Sequence, residues 1–152
     1  MNFSNWKELL AATGVILSML FVGFEIDQNN RVARAQIRTD LAALNQEMLI
    51  LNSTVPEYYE LVTKSDSGEA LTVEEERRSF FIKTINMRRL ENVYFQYKEG
   101  LLDEAGLNGY GMSIGARLFE SLDFLDFWAN ARLAYDLEFV EFIEARNGVS
   151  FD

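Results

Sequence analysis

The sequence predicts an all-α protein in which a long N-terminal helix is followed by a compact bundle of shorter helices. The stretch Trp6–Leu51 contains no Pro and no turn dipeptide, so it is predicted to form one helix. The whole chain has 1 Pro in 152 residues, which is too little punctuation for a β-sandwich. Its hydrophobic fraction of 49% and aromatic fraction of 13% indicate a folded chain.

The long helix begins with an uncharged apolar run, Leu9–Phe24. With Trp6 and Ile26 at its ends, this run approaches the roughly 20 residues that span a bilayer. Its apolar residues surround the helix instead of forming a stripe, which favours lipid over the alternative of a buried core helix. The acidic residues that follow do not resemble a signal-peptidase site, so we predict an uncleaved transmembrane anchor over residues 1–28.

The residues that flank the anchor predict its orientation. Arg31, Arg34 and Arg38 follow the apolar run, whereas Lys7 and the terminal amine precede it. Because cytoplasmic flanks carry the excess of Lys and Arg, we expect the C-terminal domain in the cytoplasm. The three arginines share one helix face, where they are candidates for contact with anionic lipid head groups.

Residues 29–55 are predicted to continue the same helix as an amphipathic segment with heptad-like spacing. Its apolar positions are Ile37, Leu41, Leu44, Met48, Leu51 and Val55. This spacing fits either a helix docked on its own domain or the self-association of two chains. In the anchor, Gly14 and Ser18 form a small-x-x-x-small pair that lets membrane helices approach closely. The candidate self-association residues are Gly14, Ser18, Ile37, Leu41, Leu44, Met48 and Leu51.

Residues 56–152 are predicted to form a helical domain. Pro56 suits the start of a short helix, Glu57–Lys64. Thr72 and Glu75 have the spacing of a capping box for a long helix that stops at Gly100. Four further segments are predicted: a helical turn or two at Leu101–Ala105, a flexible connection at Gly106–Gly115, a helix at Arg117–Asn130, and a last helix from its N-cap Asp136 to Arg146.

The long helix after Thr72 is predicted to be central, because its apolar residues cover nearly the whole circumference. These residues are Phe80, Phe81, Ile82, Ile85, Met87, Leu90, Val93, Tyr94, Phe95 and Tyr97. Arg88 and Glu91 are i, i+3 neighbours, so we expect a partly buried ion pair with Asn92 nearby. Such a cluster either marks a functional site or fixes the packing of the helix as a structural pair.

The composition argues against catalysis. The chain has no His, the commonest general base, and no Cys, so nucleophilic triads and the usual zinc sites are excluded. We therefore expect no cofactor and no metal. The net charge of −10 opposes binding to nucleic acid, whose phosphates require Lys and Arg surfaces. An enzyme would have to operate with carboxylates, Tyr and Arg alone.

Three segments together resemble a family of small bacterial single-pass membrane proteins with an N-terminal transmembrane helix and a C-terminal helical domain. The segments are Gly14–Asn30 with its ending Glu-Ile-Asp-Gln-Asn-Asn, the stretch Arg-Leu-Glu-Asn-Val-Tyr-Phe-Gln-Tyr-Lys-Glu-Gly-Leu-Leu-Asp at 89–103, and Phe-Leu-Asp-Phe-Trp at 124–128. The resemblance implies this architecture in the bacterial inner membrane and no known activity. It draws attention to Glu91, Asn92, Tyr94, Gln96 and Gly100.

From these observations we expect a non-enzymatic, membrane-anchored protein that contacts lipid. It would serve as a self-associating scaffold or as an accessory subunit of a larger membrane complex. The alternative is a binding or sensing module for a lipid or small ligand, with a pocket beside the central helix near Arg88 and Glu91.

Overall fold

In the computed structural model of the chain, residues 3–151 are described, with side chains for all of them except 3–5, 113 and 114. This part of the chain contains helices and loops and no strand, which confirms the predicted all-α fold. Seven α-helices follow one another: α1 (Phe3–Thr54), α2 (Pro56–Asp66), α3 (Val73–Lys98), α4 (Glu104–Leu107), α5 (Ser113–Leu118), α6 (Leu122–Ala131) and α7 (Leu137–Asn147).

The chain divides into two compact units between Ile37 and Arg38, so α1 contributes to both. The boundary falls inside the predicted amphipathic segment 29–55, not at either of its ends. In the first unit, every side chain from Trp6 to Val32 is exposed. The portion Trp6–Thr54 is a helix long and apolar enough to cross a membrane, with a mean hydropathy of 2.1 in its most apolar window.

In the second unit, α1 packs through only part of the seam that the heptad spacing predicts. Leu41 is buried at 3% exposure, and Asn45 and Met48 are partly buried, whereas Leu44 and Leu51 are exposed. Asn45 replaces Leu44 on the packed face because it accepts a hydrogen bond from the Arg89 side chain of α3. Leu41 is therefore occupied within its own unit and is not available for self-association.

Local sequence signals set the ends of α2, α3 and α7. Pro56 begins α2, and the Thr72–Glu75 capping box is formed in both directions at the start of α3. Beyond α3, Gly100 takes a left-handed φ of 70°, the conformation that commonly ends a helix. Asp136 caps α7 through the backbone N–H groups of residues 138 and 139, and Gly148 ends it.

The glycine-rich segment Gly106–Gly115 is helical, so the prediction of a flexible connection there was wrong. It forms the end of α4, a π-helical turn at Asn108–Met112 and the start of α5. A Cβ on Gly111 would lie 3.0 Å from Cγ1 of Val93, so glycine here permits the turn to pack closely on α3. The predicted helical turn at Leu101–Ala105 begins only at Glu104, after the N-cap Asp103.

The predicted single helix Arg117–Asn130 is two helices. α5 ends at Leu118, and Ser121 caps the start of α6 by accepting a hydrogen bond from the Phe124 backbone N–H. The break turns Phe119 and Phe124 into the core, where their rings meet edge-on with centroids 5.0 Å apart. Apolar spacing alone did not reveal this break, because it is compatible with one helix or two.

The long helix α3 is central in its second half and partly exposed in its first half. Met87, Leu90 and Val93 are at most 1% exposed. Phe81 and Ile85 are 53% and 58% exposed, so the expectation that α3 is packed on most faces holds only for its C-terminal part. Trp128, Phe139 and Ile143 are also fully buried, which places the core between α3, α6 and α7.

Candidate functional site

The predicted ion pair on α3 is present. Nη1 of Arg88 lies 2.7 Å from Oε2 of Glu91, and the pair keeps the pKa of Arg88 above its usual range. The Glu91 side chain is 13% exposed, whereas that of Arg88 is 50% exposed. Asn92 does not belong to this cluster: it lies on the exposed face of α3, one residue or about 100° around the helix from Glu91, and accepts a hydrogen bond from Gln96.

Arg88 and Glu91 attach the connection between α6 and α7 to α3. Nη2 of Arg88 donates to the backbone oxygen of Ala134 at 2.9 Å, and Oε1 of Glu91 accepts from the backbone N–H of Asp136 at 3.0 Å. The Arg88 guanidinium stacks 4.2 Å from the centroid of the Tyr135 ring. These contacts give the pair a structural role, because they fix where α7 begins.

The residues singled out by resemblance have structural roles as well. Tyr94 is buried against Phe142, with ring centroids 4.7 Å apart. The backbone oxygen of Gln96 accepts hydrogen bonds from Leu101 and Leu102, and Gly100 supplies the positive φ that this turn requires. The motif therefore includes the end of α3 and the turn that follows it.

A cleft of about 600 Å³ lies on the Arg88 side of α3 and is called the Arg88 cleft. Phe80, Phe127 and Tyr135 supply aromatic walls. The charged residues that line the cleft are Arg88, Lys83, Glu76, Asp123 and Asp126. Phe80 and Phe127 meet edge-on with centroids 5.5 Å apart. The cleft reaches Arg88, but Glu91 is not among the residues that line it.

At the floor of the Arg88 cleft is a polar network that the sequence pattern did not reveal. The Lys83 ammonium pairs with the Asp123 carboxylate, which also accepts a hydrogen bond from the Ser65 hydroxyl. Ser65 and Ser79 are buried, with their hydroxyl oxygens 3.2 Å apart. Burial raises the pKa of Asp123, but the hydrogen bonds from Lys83 and Ser65 outweigh it and hold that pKa below its usual value.

A second polar network connects Trp128 and Arg132 to Glu144 of α7. Both carboxylate oxygens of Glu144 accept hydrogen bonds from Arg132, at 2.6 and 2.9 Å, and the indole N–H of Trp128 donates to Oε1 at 3.0 Å. Glu144 is 8% exposed and Trp128 is fully buried. Such a bidentate pair with its remaining donors satisfied is a structural anchor for α7.

A second cleft, of about 640 Å³, lies between α1, α2, α3 and the α5–α6 region and is called the Arg89 cleft. Its apolar walls include Met48, Leu61 and Ile82, and Arg89 projects into it from α3. Ser79 and Lys83 line both clefts. The sequence signal that could have pointed to Arg89 is its position next to Leu90 on α3, the helix whose apolar residues cover nearly the whole circumference.

Residues 3–151 form an all-helical protein with two clefts in its helical domain. Within these residues, one helix, at the N-terminus, is long and apolar enough to cross a membrane. No protein-family model, curated protein or solved structure matches this chain.

Proposed function

We propose that this protein is anchored in the bacterial inner membrane by the first part of α1 and acts, without catalysis, as a scaffold or accessory subunit of a membrane complex. The observation that supports the anchor is the uninterrupted exposure of the uncharged run Leu9–Phe24, including Leu17 and Phe21 at 61% each. Water solvates a continuous apolar surface of this kind poorly, whereas the bilayer core is its natural solvent.

Deletion of residues 1–28 tests the anchor. The truncated chain should move from the membrane fraction to the soluble fraction, because the uncharged run is lost while residues 38–152 remain. If the truncated chain stays membrane-bound, or if the intact chain is soluble without detergent, the anchor proposal is wrong.

For orientation, we propose that the C-terminal domain is cytoplasmic. Arg31 pairs with Asp27 at 2.5 Å and Arg38 with Asp103 at 2.9 Å. The orientation bias counts Lys and Arg, and acidic neighbours contribute little, so these pairs leave it in place. They do reduce what Arg31 and Arg38 offer to lipid head groups.

The chain has no Cys, so a single introduced thiol reports topology directly. Ser150→Cys places a thiol at an exposed position of the C-terminal domain. A membrane-impermeant maleimide should label it only after spheroplasts are permeabilised. Labelling of intact spheroplasts would reverse the proposed orientation.

We propose that association occurs in the membrane through a groove at Gly14 and Ser18. This groove, of about 680 Å³, is lined by Ala11, Gly14, Val15, Ser18, Met19 and Val22. The Ser18 hydroxyl donates to the Gly14 backbone oxygen at 2.8 Å, so it is satisfied before any partner approaches. A Cβ on Gly14 meets nothing within 4 Å in its own chain, so the open space is available to a second helix.

Gly14→Leu should therefore disrupt association without straining the monomer. Gly23→Leu is the matched control, because Gly23 is equally open and lies about half a turn away around the helix. Mass measurement after mild-detergent purification should give an oligomer, or a stoichiometric foreign chain, for wild type and Gly23→Leu. A monomeric wild type would contradict both scaffold and accessory subunit.

We also propose membership of the family of small bacterial single-pass membrane proteins that the three motifs resemble. Tyr94 packs on Phe142, and Gln96 and Gly100 form the turn after α3. These structural roles of motif residues support a shared architecture. A second structure with these motifs but a different turn after α3 would oppose it.

The Arg88 cleft favours a second candidate function, the binding of a lipid or small ligand. Its volume of about 600 Å³ and its aromatic walls suit an apolar ligand. Ala131 lines the cleft and Ala129 does not, so Ala131→Trp should expel a co-purifying ligand and Ala129→Trp should retain it, as read by native mass spectrometry. Equal retention in both variants would exclude this cleft.

A further inference from the structure

Arg89 differs from the other partly buried cations of the helical domain. Lys64, Lys83 and Arg132 each form an ion pair with a carboxylate. Arg89 is half-buried, and no carboxylate of residues 3–151 forms an ion pair with it. A cation that is withdrawn from water without a counter-charge is costly, so this position requires an explanation.

The neighbours of Arg89 are neutral. Its Nη2 group donates to the side-chain oxygen of Asn45 and, at 3.0 Å, to the backbone oxygen of Tyr110. Both bonds to described residues leave from Nη2, so the Nε–H and the Nη1 N–H groups remain as separate donors for another acceptor. Burial lowers the pKa of Arg89, yet a guanidinium remains charged at any physiological pH.

Other neutral polar groups line the same cleft. Asn52 and Asn86 contribute amides, and Tyr58 contributes a phenol that hydrogen-bonds with Asn52. Burial raises the pKa of Tyr58, so its hydroxyl keeps its proton and can donate. An anion at Arg89 would thus meet further donors and no opposing charge from these groups.

Four other charged residues line the cleft: Asp66, Lys83, Arg117 and Glu120. Lys83 pairs with Asp123, and Arg117 lies close enough to Asp66 to lower the carboxyl's pKa in part, against the larger effect of burial. Of the two partly buried cations that line the cleft, Lys83 is paired, and Arg89 has no ion pair among the described residues.

The walls define the rest of the ligand. Apolar side chains from four elements line the cleft: Met48, Leu49, Leu61, Val62, Ile82, Leu118 and Phe124. The single charge of the Arg89 guanidinium matches the single charge of a carboxylate, whereas a phosphate dianion would leave a second negative charge to be compensated.

We propose that the Arg89 cleft is a binding site for an amphipathic monocarboxylate, with the carboxylate on Arg89 and the apolar body against the walls from α1, α2, α3 and α6. This site is distinct from the association groove in the membrane helix. A chain that fails to associate can still bind, so the two proposals fail separately.

The test uses the full-length protein in phosphatidylcholine nanodiscs, titrated with octanoate labelled with ¹³C at the carboxyl carbon and followed by NMR, with empty nanodiscs subtracted. Octanoate should bind the wild type saturably, with a shift of the carboxyl resonance. Octanol, which has the same chain length without the charge, should bind at least about tenfold more weakly. Inorganic phosphate should not displace octanoate.

Arg89→Gln should weaken octanoate binding by about tenfold or more, because charge-assisted hydrogen bonds are lost. Arg77→Gln is the matched control: it removes the same charge from an exposed position of α3 and should bind as the wild type does. If Arg89→Gln loses its helical circular dichroism, Val62→Trp replaces it, since it fills the cleft and keeps Arg89. Absence of saturable wild-type binding, equal binding by octanol, displacement by phosphate or full binding by the folded variants would each overturn the proposal.

Discussion

The apolar run of α1 and the central helix α3 both carry apolar residues around most of their circumference, yet their surroundings differ. In α1, Leu17 is 61% exposed and every described side chain near it is exposed too. In α3, Met87 and Leu90 are at most 1% exposed. Apolar coverage alone therefore does not distinguish an exposed helix from one that is packed in a protein core.

Charge distinguishes them. The run Leu9–Phe24 has no ionisable residue, whereas α3 carries several that are partly buried. Lys83 forms an ion pair with Asp123, and Glu91 forms one with Arg88, so the counter-charges come from the protein itself. A bilayer supplies none, which is why charged residues are rare in membrane-spanning helices.

The largest expected effect is in the core of α3. Leu90→Ala should destabilise the helical domain by about 2–5 kcal/mol, because the substitution leaves a cavity at a fully buried position. Ile85→Ala, at a 58% exposed position of the same helix, should change stability by about 0.5 kcal/mol or less. Urea denaturation in mild detergent, followed by Trp128 fluorescence in a Trp6→Phe background, measures both. Equal losses would mean that Ile85 is buried in solution.

A charge in the apolar run should act on membrane insertion and not on the fold of the domain. Leu17→Arg should cost about 2.5–3.5 kcal/mol at the centre of a membrane span and should shift protein out of the membrane fraction. Val32→Arg lies beyond the run and should stay in the membrane. Retention of Leu17→Arg at the wild-type level would show that this residue does not face lipid.

Removing the counter-charge of a partly buried Lys should destabilise the helical domain, which tests whether charges on α3 depend on partners from the protein. Asp123→Asn leaves Lys83, whose side chain is 12% exposed, without its counter-charge. We expect a loss of about 1–3 kcal/mol. Asp126→Asn, at an exposed position of the same helix, is the control and should be nearly neutral in the denaturation assay. Identical midpoints for the two variants would argue against the Lys83–Asp123 pair.

Glycines differ between the two regions in the same way as the apolar side chains. Gly14 faces open space, whereas Gly111 lies against Val93 of α3. Gly111→Ala should cost about 1–3 kcal/mol through overpacking. Gly109→Ala meets nothing within 4 Å and should be neutral or slightly stabilising in the same assay. A neutral Gly111→Ala would show that the π-helical turn does not pack closely on α3.

The smallest effect is a pH dependence at the start of α3. The hydrogen bond from Lys64, together with those from Thr72, lowers the pKa of Glu75 to about 2 from its ordinary value of 4.5. A carboxylate whose folded-state pKa is depressed stabilises the fold above its unfolded pKa, and this contribution is lost as the pH falls from about 4.5 towards 2.

Glu75→Gln should therefore be less stable than the wild type at about pH 6, and the difference should shrink at about pH 3. Paired urea titrations at the two pH values measure it. Glu76→Gln is the control, because Glu76 is an exposed neighbour on the same turn. A difference that stays constant with pH would contradict the lowered pKa.

The sequence by itself determined the helical class, the apolar N-terminal helix and the helix ends at Pro56, Thr72, Asp136 and Gly148. The helix ends depend on single residues or on side chains within one turn, and the apolar helix depends on the composition of one segment. Neighbouring residues were therefore sufficient to predict them. It also predicted the Arg88–Glu91 pair, because i, i+3 neighbours on a helix meet whatever surrounds them.

Only the tertiary structure decided which face of α1 packs, how the glycine-rich segment folds and where the clefts lie. Asn45 displaced Leu44 because Arg89, far away in sequence, lies opposite it. The helical turn at Gly111 packs closely on α3, where a Cβ would lie 3.0 Å from Cγ1 of Val93. The Ser65–Lys83–Asp123 network and the lone charge of Arg89 likewise depend on elements that meet only when α1, α2, α3 and α6 pack together, and no periodicity within one segment encodes such meetings.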